Sequence, residues 1–436
     1  METKDLKFGE LDEGFTIKEA IEEAKRCLNC KNPLCIKGCP IENNIPGFIH
    51  QLSMGNIGAA MHIINEKSNL PAICGRVCPH EKQCVGHCVL NAKKRPIQVG
   101  KLERFAADFD GNMGLIRDKI PQKTRGKVAV IGSGPAGLTV AGDLAREGFN
   151  VMIFEGEQEA GGVLMYGIPE YRLPKDVVRK EVKKIEALGV TFITQCMVGQ
   201  AITVDDMFEQ GFDAVFIGSG TALPKSLDTP GYTLRGVTQS SYFLRMASLY
   251  NTGSIGREEV PVKQGDIVGV IGGGNVAMDA ARTALRMGAG KVYVLFRRTM
   301  DQMSALQTEY NEAVEEGVEF LWETTVTEFI GSNGKLEKIR VKTPEGENFM
   351  PIDRILLAIG SRPANRIVST TSGIEVDDTG YVITKERPYG MTTRKGVFAG
   401  GDVVHTPQTV VLAMKEAKQV AKGIAQFVDA KKLLEE

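Results

Sequence analysis

The chain has 436 residues, 42% of them hydrophobic and 25% charged, and a formal net charge of −1. This is the composition of a globular protein long enough for two or three domains, and it excludes a largely disordered chain. The charge balance gives no overall drive toward nucleic acid or an anionic membrane, and no run approaches the roughly 18 uninterrupted apolar residues that would cross a bilayer.

The first fifteen residues, METKDLKFGELDEGF, carry acids and no apolar signal-peptide core, so a cytoplasmic protein is expected. In that reducing compartment clustered cysteines are metal ligands or reactive thiols rather than disulfides. Eight of the nine cysteines precede residue 90, and Cys196 stands alone in the rest of the chain. The first run is Cys27-x2-Cys30-x4-Cys35-x3-Cys39-Pro40 and the second is Cys74-x3-Cys78-x5-Cys84-x3-Cys88. Spacings this short let folded loops aim several soft thiolates at a common centre. The Cys-Pro ending and the tight four-cysteine run favour iron–sulfur ligation, with a structural zinc module as the competing assignment. Between the runs, Ile45, Phe48, Ile49, Leu52, Ile57, Ala60, Met61 and Ile64 recur at helical spacing, which predicts small helices that bring the runs together. His80 and His87 lie among the cysteines and are expected beside them rather than as ligands. A polar linker around Arg117 to Arg125 ends this first domain.

The stretch KVAVIGSGPAGLTVAGDLAREGFNVMIFE, residues 127 to 155, predicts a strand, a glycine turn, a helix and a second strand. Gly132 permits the tight turn, Gly134 lets a pyrophosphate approach the backbone, and Gly137 lets helix and strand pack closely; Pro135 and Ala136 open the helix. The helix N-terminus then offers free amides and a positive dipole end to phosphates. Glu155 stands where a carboxylate would accept bonds from an adenosine ribose, so this site reads as FAD.

The pattern recurs in IVGVIGGGNVAMDAARTALRMGAGKVYVLFRRT, residues 267 to 299, with Gly272, Gly274, Asn275, Val276 and the small Ala277 at the turn. Here the second strand ends in Phe296-Arg297-Arg298. No ribose-binding acid is present, and two guanidiniums can clamp a 2′-phosphate, so this site reads as NADP(H). Two more apolar strands, 213–221 and 354–363, close on glycine and return the chain between the nucleotide folds. GVFAGGDVV and a helix after Pro407 follow.

These motifs, from EEAKRCLNC through GGVLMYGIPEYRLPK to FAGGD, resemble the small subunit of NADPH-dependent glutamate synthase and its relatives. The relatives include the large subunit of electron-bifurcating NADH-dependent ferredoxin:NADP oxidoreductase and the flavin module of dihydropyrimidine dehydrogenase. The resemblance implies an α/β protein: an N-terminal α-helical domain with two [4Fe–4S] clusters, then two Rossmann-like domains, the NADPH domain inserted in the FAD domain. The expected limits are 1–120 for the iron–sulfur domain, 121–230 and 364–436 for the two parts of the FAD domain, and 231–363 for the NADP(H) domain. The resemblance also implies that Gly162, Gly401 and Asp402 border the flavin, and that the helix beginning near Gln408-Thr409-Val410 faces its ring. It divides the ligands across the runs, with Cys27, Cys30, Cys35 and Cys88 on one cluster and Cys39, Cys78, Cys84 and Glu103 on the other. Cys74 is the other candidate for the place of Glu103.

The implied activity is hydride exchange between NADP(H) and FAD and electron relay through two clusters to or from a partner subunit. That partner is a glutamate synthase large subunit, flavin or iron–sulfur subunits of a transhydrogenase, or ferredoxin; a dihydropyrimidine dehydrogenase complex is the alternative. No catalytic side chain is expected, because the flavin carries the chemistry. A self-contained disulfide reductase would need a second cysteine near the flavin, which the lone Cys196 does not supply. A non-enzymatic scaffold would have no use for both glycine loops, the ribose acid and the arginine pair.

Overall fold

The computed structural model describes residues 6–116 and 120–435, so residues 117–119 of the expected linker lie outside the described residues. The chain divides into two compact units. Of the described residues, those within Asp12–Met165, Lys175–Leu223 and Arg362–Glu436 form one, and those within Met1–Leu11, Tyr166–Pro174 and Pro224–Ser361 form the other.

The first unit begins with short helices. Thr16 caps Ile17–Lys25 through a reciprocal pair of bonds with Glu19, which satisfies amides that the first helical turn leaves free. Leu34–Gly38, Ile45–Ser53, Ile57–Asn65, Pro71–Val77 and Val99–Met113 follow. The apolar run after the first cysteines splits into two helices at Gly55, whose φ of +78° lies in the left-handed region that ends helices cheaply. Phe48, Ile49, Leu52, Met61 and Ile64 are buried in one cluster with Leu102 and Ala106 of Val99–Met113. The predicted helical face is thus the core of this part.

The same unit contains a seven-stranded sheet in the order Thr384–Glu386, Tyr389–Thr392, Val397–Ala399, Ala214–Ile217, Lys127–Ile131, Asn150–Phe154 and Thr191–Ile193. The last five run parallel. Val128 to Ile131 and Ala214 to Ile217 are buried without a break, as parallel strands covered on both faces must be. The helices Pro135–Arg146 and Val410–Glu435 are fastened to each other by Lys418 and Asp143 at 3.0 Å. Val397–Ala399 brings the chain back beside Ala214–Ile217 after the long excursion through the second unit.

The second unit has a five-stranded parallel sheet in the order Val237–Gln239, Arg354–Leu357, Ile267–Ile271, Lys291–Leu295 and Glu319–Leu321. Thr325–Ser332, Lys335–Thr343 and Gly346–Pro351 add an antiparallel sheet. Contiguous limits read along the sequence leave Tyr166–Pro174 in the FAD segment, whereas the structure packs it in this second unit. The reason is electrostatic. Arg172 pairs with Asp279 at 2.8 Å and with Glu309, while the Tyr171 ring lies under the guanidiniums of Arg286 and Arg282, at 3.9 and 4.7 Å. Arg172→Ala strands two buried carboxylates and is expected to cost about 3–5 kcal/mol. A denaturant midpoint equal to that of the parent would contradict this.

Candidate functional site: two cysteine rings and two glycine loops

In the first unit one cavity is lined by Cys27, Cys30, Cys35 and Cys88, backed by Ile45, Ile49, Ile97 and Val99. Three of these sulfurs come from the first run and one from the second, because the turns around Leu34–Gly38 and residues 84–88 face each other; His87 also lines the cavity and bonds the Gln83 carbonyl through Nδ1 at 2.7 Å. Burial pushes the Cys35 thiol up to about 11, and the neighbouring Cys27 and Cys88 sulfurs add to the rise. A bound metal centre supplies the positive charge that thiolates so placed need.

Cys39, Cys78 and Cys84 form a second group. Burial, then the charge of Glu103, pushes Cys39 up to about 11 and raises Cys84 further. Cys78 is raised first by its hydrogen bond with Cys74 and then by burial. Glu103 is buried, has no hydrogen bond or ion pair among the described residues, and is pushed up to about 8 by burial and by the charge of Glu181. An unpartnered carboxylate in such a place is costly unless it binds something. Cys74 adjoins this group through Cys78 and is tied outside it as well: Ser68 Oγ lies 4.0 Å from its sulfur, which is also 3.6 Å from Met414 Sδ of Val410–Glu435. His80 Nε2 is buried without a hydrogen-bond partner among the described residues, and burial lowers that ring to about 4. Its ring fills the space left by Gly100, where a Cβ would lie 2.3 Å from it. Among the described residues no three Cys, His, Asp or Glu side chains converge on a single-ion site.

The first glycine loop belongs to the same unit. Gly132 has φ +92°, and a Cβ on Gly137 would stand 2.0 Å from the Gly132 carbonyl oxygen. Gly137→Ala is therefore expected to open the loop and lower FAD occupancy at least tenfold, on the scale of the roughly 1–3 kcal/mol that overpacking costs. Flavin absorbance per chain after purification is the check, and full occupancy would contradict it. A Cβ on Gly134, by contrast, would meet nothing within 4 Å, so the space before the helix Pro135–Arg146 is open. Gly162 abuts Gly134 and Gly401 abuts Ala136, at 3.0 and 2.9 Å from an added Cβ. Pro135 is the first residue of the helix.

Glu155 is buried at the end of Asn150–Phe154 and accepts bonds from Ser133 N at 2.9 Å, Ser133 Oγ at 2.5 Å and Glu157 N at 2.8 Å. A carboxylate has about four acceptor positions, so one remains. Asp402 has no hydrogen-bond partner among the described residues, and burial followed by the charge of Glu416 pushes it up to about 6. Thr409 caps the last helix through Leu412 N, and Val410 begins it; Gln408 is exposed just before.

The sequence reading passed over Ser133 and Glu416. Ser133 occupies the variable position of the glycine motif, and Glu416 accepts Gly401 N at 2.7 Å from a helix position with no motif around it.

In the second unit, Gly272 has φ +143°, and Gly274 precedes the helix Asn275–Arg286; a Cβ added there would meet only Ser304 Oγ, at 3.4 Å. Ala277 is buried against the strand, whereas Val276 is exposed at the helix start. Asn275 Oδ1 accepts Leu306 N at 3.0 Å and so holds the segment beyond Ser304 over the loop. Arg297 and Arg298 are exposed, with no side-chain hydrogen bond or ion pair among the described residues. Two uncommitted guanidiniums at a strand end can receive a phosphate. Cys196, half-buried against apolar neighbours, has no second cysteine beside it.

Comparison with known proteins places the chain in a family. Residues 4–115 match the family described as dihydropyrimidine dehydrogenase domain II, 4Fe-4S cluster, and residues 126–417 match pyridine nucleotide-disulphide oxidoreductase. The small chain of NADPH glutamate synthase from Halomonas elongata is 35% identical over 98% of this chain and 94% of its own. The NAD-dependent dihydropyrimidine dehydrogenase subunit PreT of Escherichia coli is 33% identical over 96% and 97%. The FprA of Mycobacterium tuberculosis solved with NADPH superposes with a TM-score of 0.61 over 71% of this chain and 86% of its own, at 18% identity, a likeness of fold. Among the described residues no helix is long and apolar enough to cross a membrane. The chain is an oxidoreductase of the pyridine nucleotide-disulphide oxidoreductase family, in the branch typified by glutamate synthase small chains, which joins an FAD- and NAD(P)-binding fold to a 4Fe–4S domain.

Proposed function

We propose that this protein is the NADP(H)-linked subunit of a cytoplasmic electron-transfer complex, with two [4Fe–4S] clusters between its flavin and a partner. The observation that carries the reading is the single compact unit holding the FAD glycine loop and both cysteine groups, with Cys74 and Met414 in sulfur contact between them. The limits 1–120, 121–230 with 364–436, and 231–363 remain our division of the chain, with residues 6–11 and Tyr166–Pro174 moved to the NADP(H) part.

The glycine loop, Gly162 and Gly401 leave room for the FAD pyrophosphate, Glu155 offers its remaining acceptor position to the ribose, and Asp402 is free to accept from the flavin side chain. Thr409 and Val410 set the helix N-terminus that would meet the ring, where amides favour negative charge. Cys27, Cys30, Cys35 and Cys88 would hold one cluster. Cys39, Cys78, Cys84 and Glu103 would hold the other, Glu103 being favoured because its carboxylate has no hydrogen-bond partner among the described residues while the Cys74 sulfur does. When bound, FAD supplies hydride exchange with NADP(H) and single-electron exchange with iron–sulfur centres. Arg297 and Arg298 select the phosphorylated nucleotide.

Iron analysis tests the ligand set. Cys74→Ser should keep about eight irons per chain and Glu103→Ala should lose up to about four; the reverse pattern would transfer the ligand role to Cys74. The glutamate synthase type and the bifurcating transhydrogenase type share this site. Purifying the native complex and identifying its partner separates them: a large glutamine-processing subunit marks the first, and a further flavin or iron–sulfur subunit the second.

A further inference from the structure

We propose that Trp322 is the adenine-binding face of the second nucleotide site, its indole receiving the base of the nicotinamide nucleotide beside Arg297 and Arg298. This rests on the reading of that site as one for NADP(H), and it adds the residue that meets the base. The two glycine folds repeat one another beyond their motifs. After the second strand of the first, Glu155 N donates to the Ile193 carbonyl at 2.9 Å, Gln195 N to that of Glu157 at 2.9 Å and Cys196 N to that of Glu155 at 2.8 Å. The second fold has the same three bonds: Phe296 N to Leu321 at 3.0 Å, Glu323 N to Arg298 at 3.1 Å and Thr324 N to Phe296 at 3.0 Å. Gln195 and Glu323 both take a left-handed φ, +57° and +52°. The correspondence sets Phe296 in the place of Glu155, Gly273 in that of Ser133 and Trp322 in that of Thr194. Where the first fold has a carboxylate bonded to a serine, the second has a phenyl ring against a glycine, and a Cβ on Gly273 would stand 2.5 Å from that ring.

Lys291–Leu295 and Glu319–Leu321 run parallel and side by side, so the residues that follow them share one edge of the sheet. That is the edge at which parallel sheets bind ligands. Phe320 stacks on the Trp322 indole at 5.3 Å and 17°, and Phe296 meets it at 6.2 Å and 85°. These contacts orient a side chain that stays partly exposed, next to two exposed guanidiniums. Such a pairing matches one end of NADP(H) only. Adenine and the 2′-phosphate sit on adjacent ribose carbons, so the groups that take them must be neighbours, whereas the nicotinamide lies beyond the pyrophosphate. A base offers its π-face to an aromatic platform, and the phosphate takes the arginines.

The test is titration of the holoenzyme with adenosine 2′,5′-bisphosphate, which carries the base and the 2′-phosphate without nicotinamide. Trp322 is the only tryptophan of the chain, so its emission reports the contact directly. The expected result is a saturable change in emission with the Kd that calorimetry gives, and no change with nicotinamide mononucleotide. By calorimetry Trp322→Ala weakens the bisphosphate about tenfold or more, while Trp322→Phe stays within about threefold of the parent. In turnover Trp322→Ala raises KM for NADPH and for NADH by the same factor, because both carry adenine. FAD and iron content at parent values report that each variant is folded, and the emission titration decides the matter without a variant. Binding by calorimetry with unchanged emission, or a Trp322→Ala protein that binds like the parent, overturns the proposal. A parent enzyme that binds neither the bisphosphate nor NADPH fails the underlying NADP(H) reading, and calorimetry distinguishes that case.

Discussion

Cys88→Ser is expected to remove about four of about eight irons per chain and to leave FAD bound. The effect is large because Cys88 closes a cavity whose other three sulfurs, Cys27, Cys30 and Cys35, come from a segment some fifty residues earlier. No other cysteine lines that cavity, and the shell behind it, Ile45, Ile49, Ile97 and Val99, cannot donate to a metal. Cys39→Ser should remove a similar amount of iron, but from the other centre, since Cys39 lies with Glu103 and Cys74. The two variants should therefore leave different electron paramagnetic resonance signals on reduction. The same residual signal from both would mean that each run keeps its own cluster, contrary to the geometry of the cavity.

The double variant R297A/R298A is expected to raise KM for NADPH about a hundredfold while changing KM for NADH less than about threefold. A hydrogen bond to a charged group contributes roughly 1.5–3 kcal/mol and each 1.4 kcal/mol is tenfold, so losing even one good phosphate contact costs more than a decade. Neither arginine side chain has a hydrogen bond or ion pair among the described residues, so their removal should leave the fold intact. The NAD-dependent relative makes the comparison pointed, since nicotinamide choice varies within this family. Equal losses with both nucleotides would place the arginines in general packing rather than in 2′-phosphate recognition.

Local motifs were the legible part of this protein. Gly132, Gly134 and Gly137 announce their turn because the backbone there demands it, and the helical spacing from Ile45 to Ile64 states which face is buried. The cross-run sharing of Cys88 was not visible in spacing, which suits two separate four-cysteine sites equally well; it came from resemblance, and the cavity now supplies a physical argument for it. Tyr166–Pro174 could not be assigned from sequence because its place depends on Asp279 and Glu309, more than a hundred residues away. Ser133 and Glu416 escaped notice for a related reason. They hold the turns that hold the cofactor, and such supporting roles leave no pattern of their own.

Counting electrons shows whether the clusters serve the nucleotide site. The holoenzyme is reduced fully with dithionite, freed of excess reductant, and mixed anaerobically with NADP⁺ while absorbance at 340 nm is followed. If both clusters communicate with the flavin, about two NADPH form per FAD, one from the flavin's electron pair and one from the single electrons of two clusters. Formation of one NADPH or fewer, with the iron–sulfur absorbance left in its reduced state, would show that the clusters do not exchange electrons with the nucleotide site and would contradict the account.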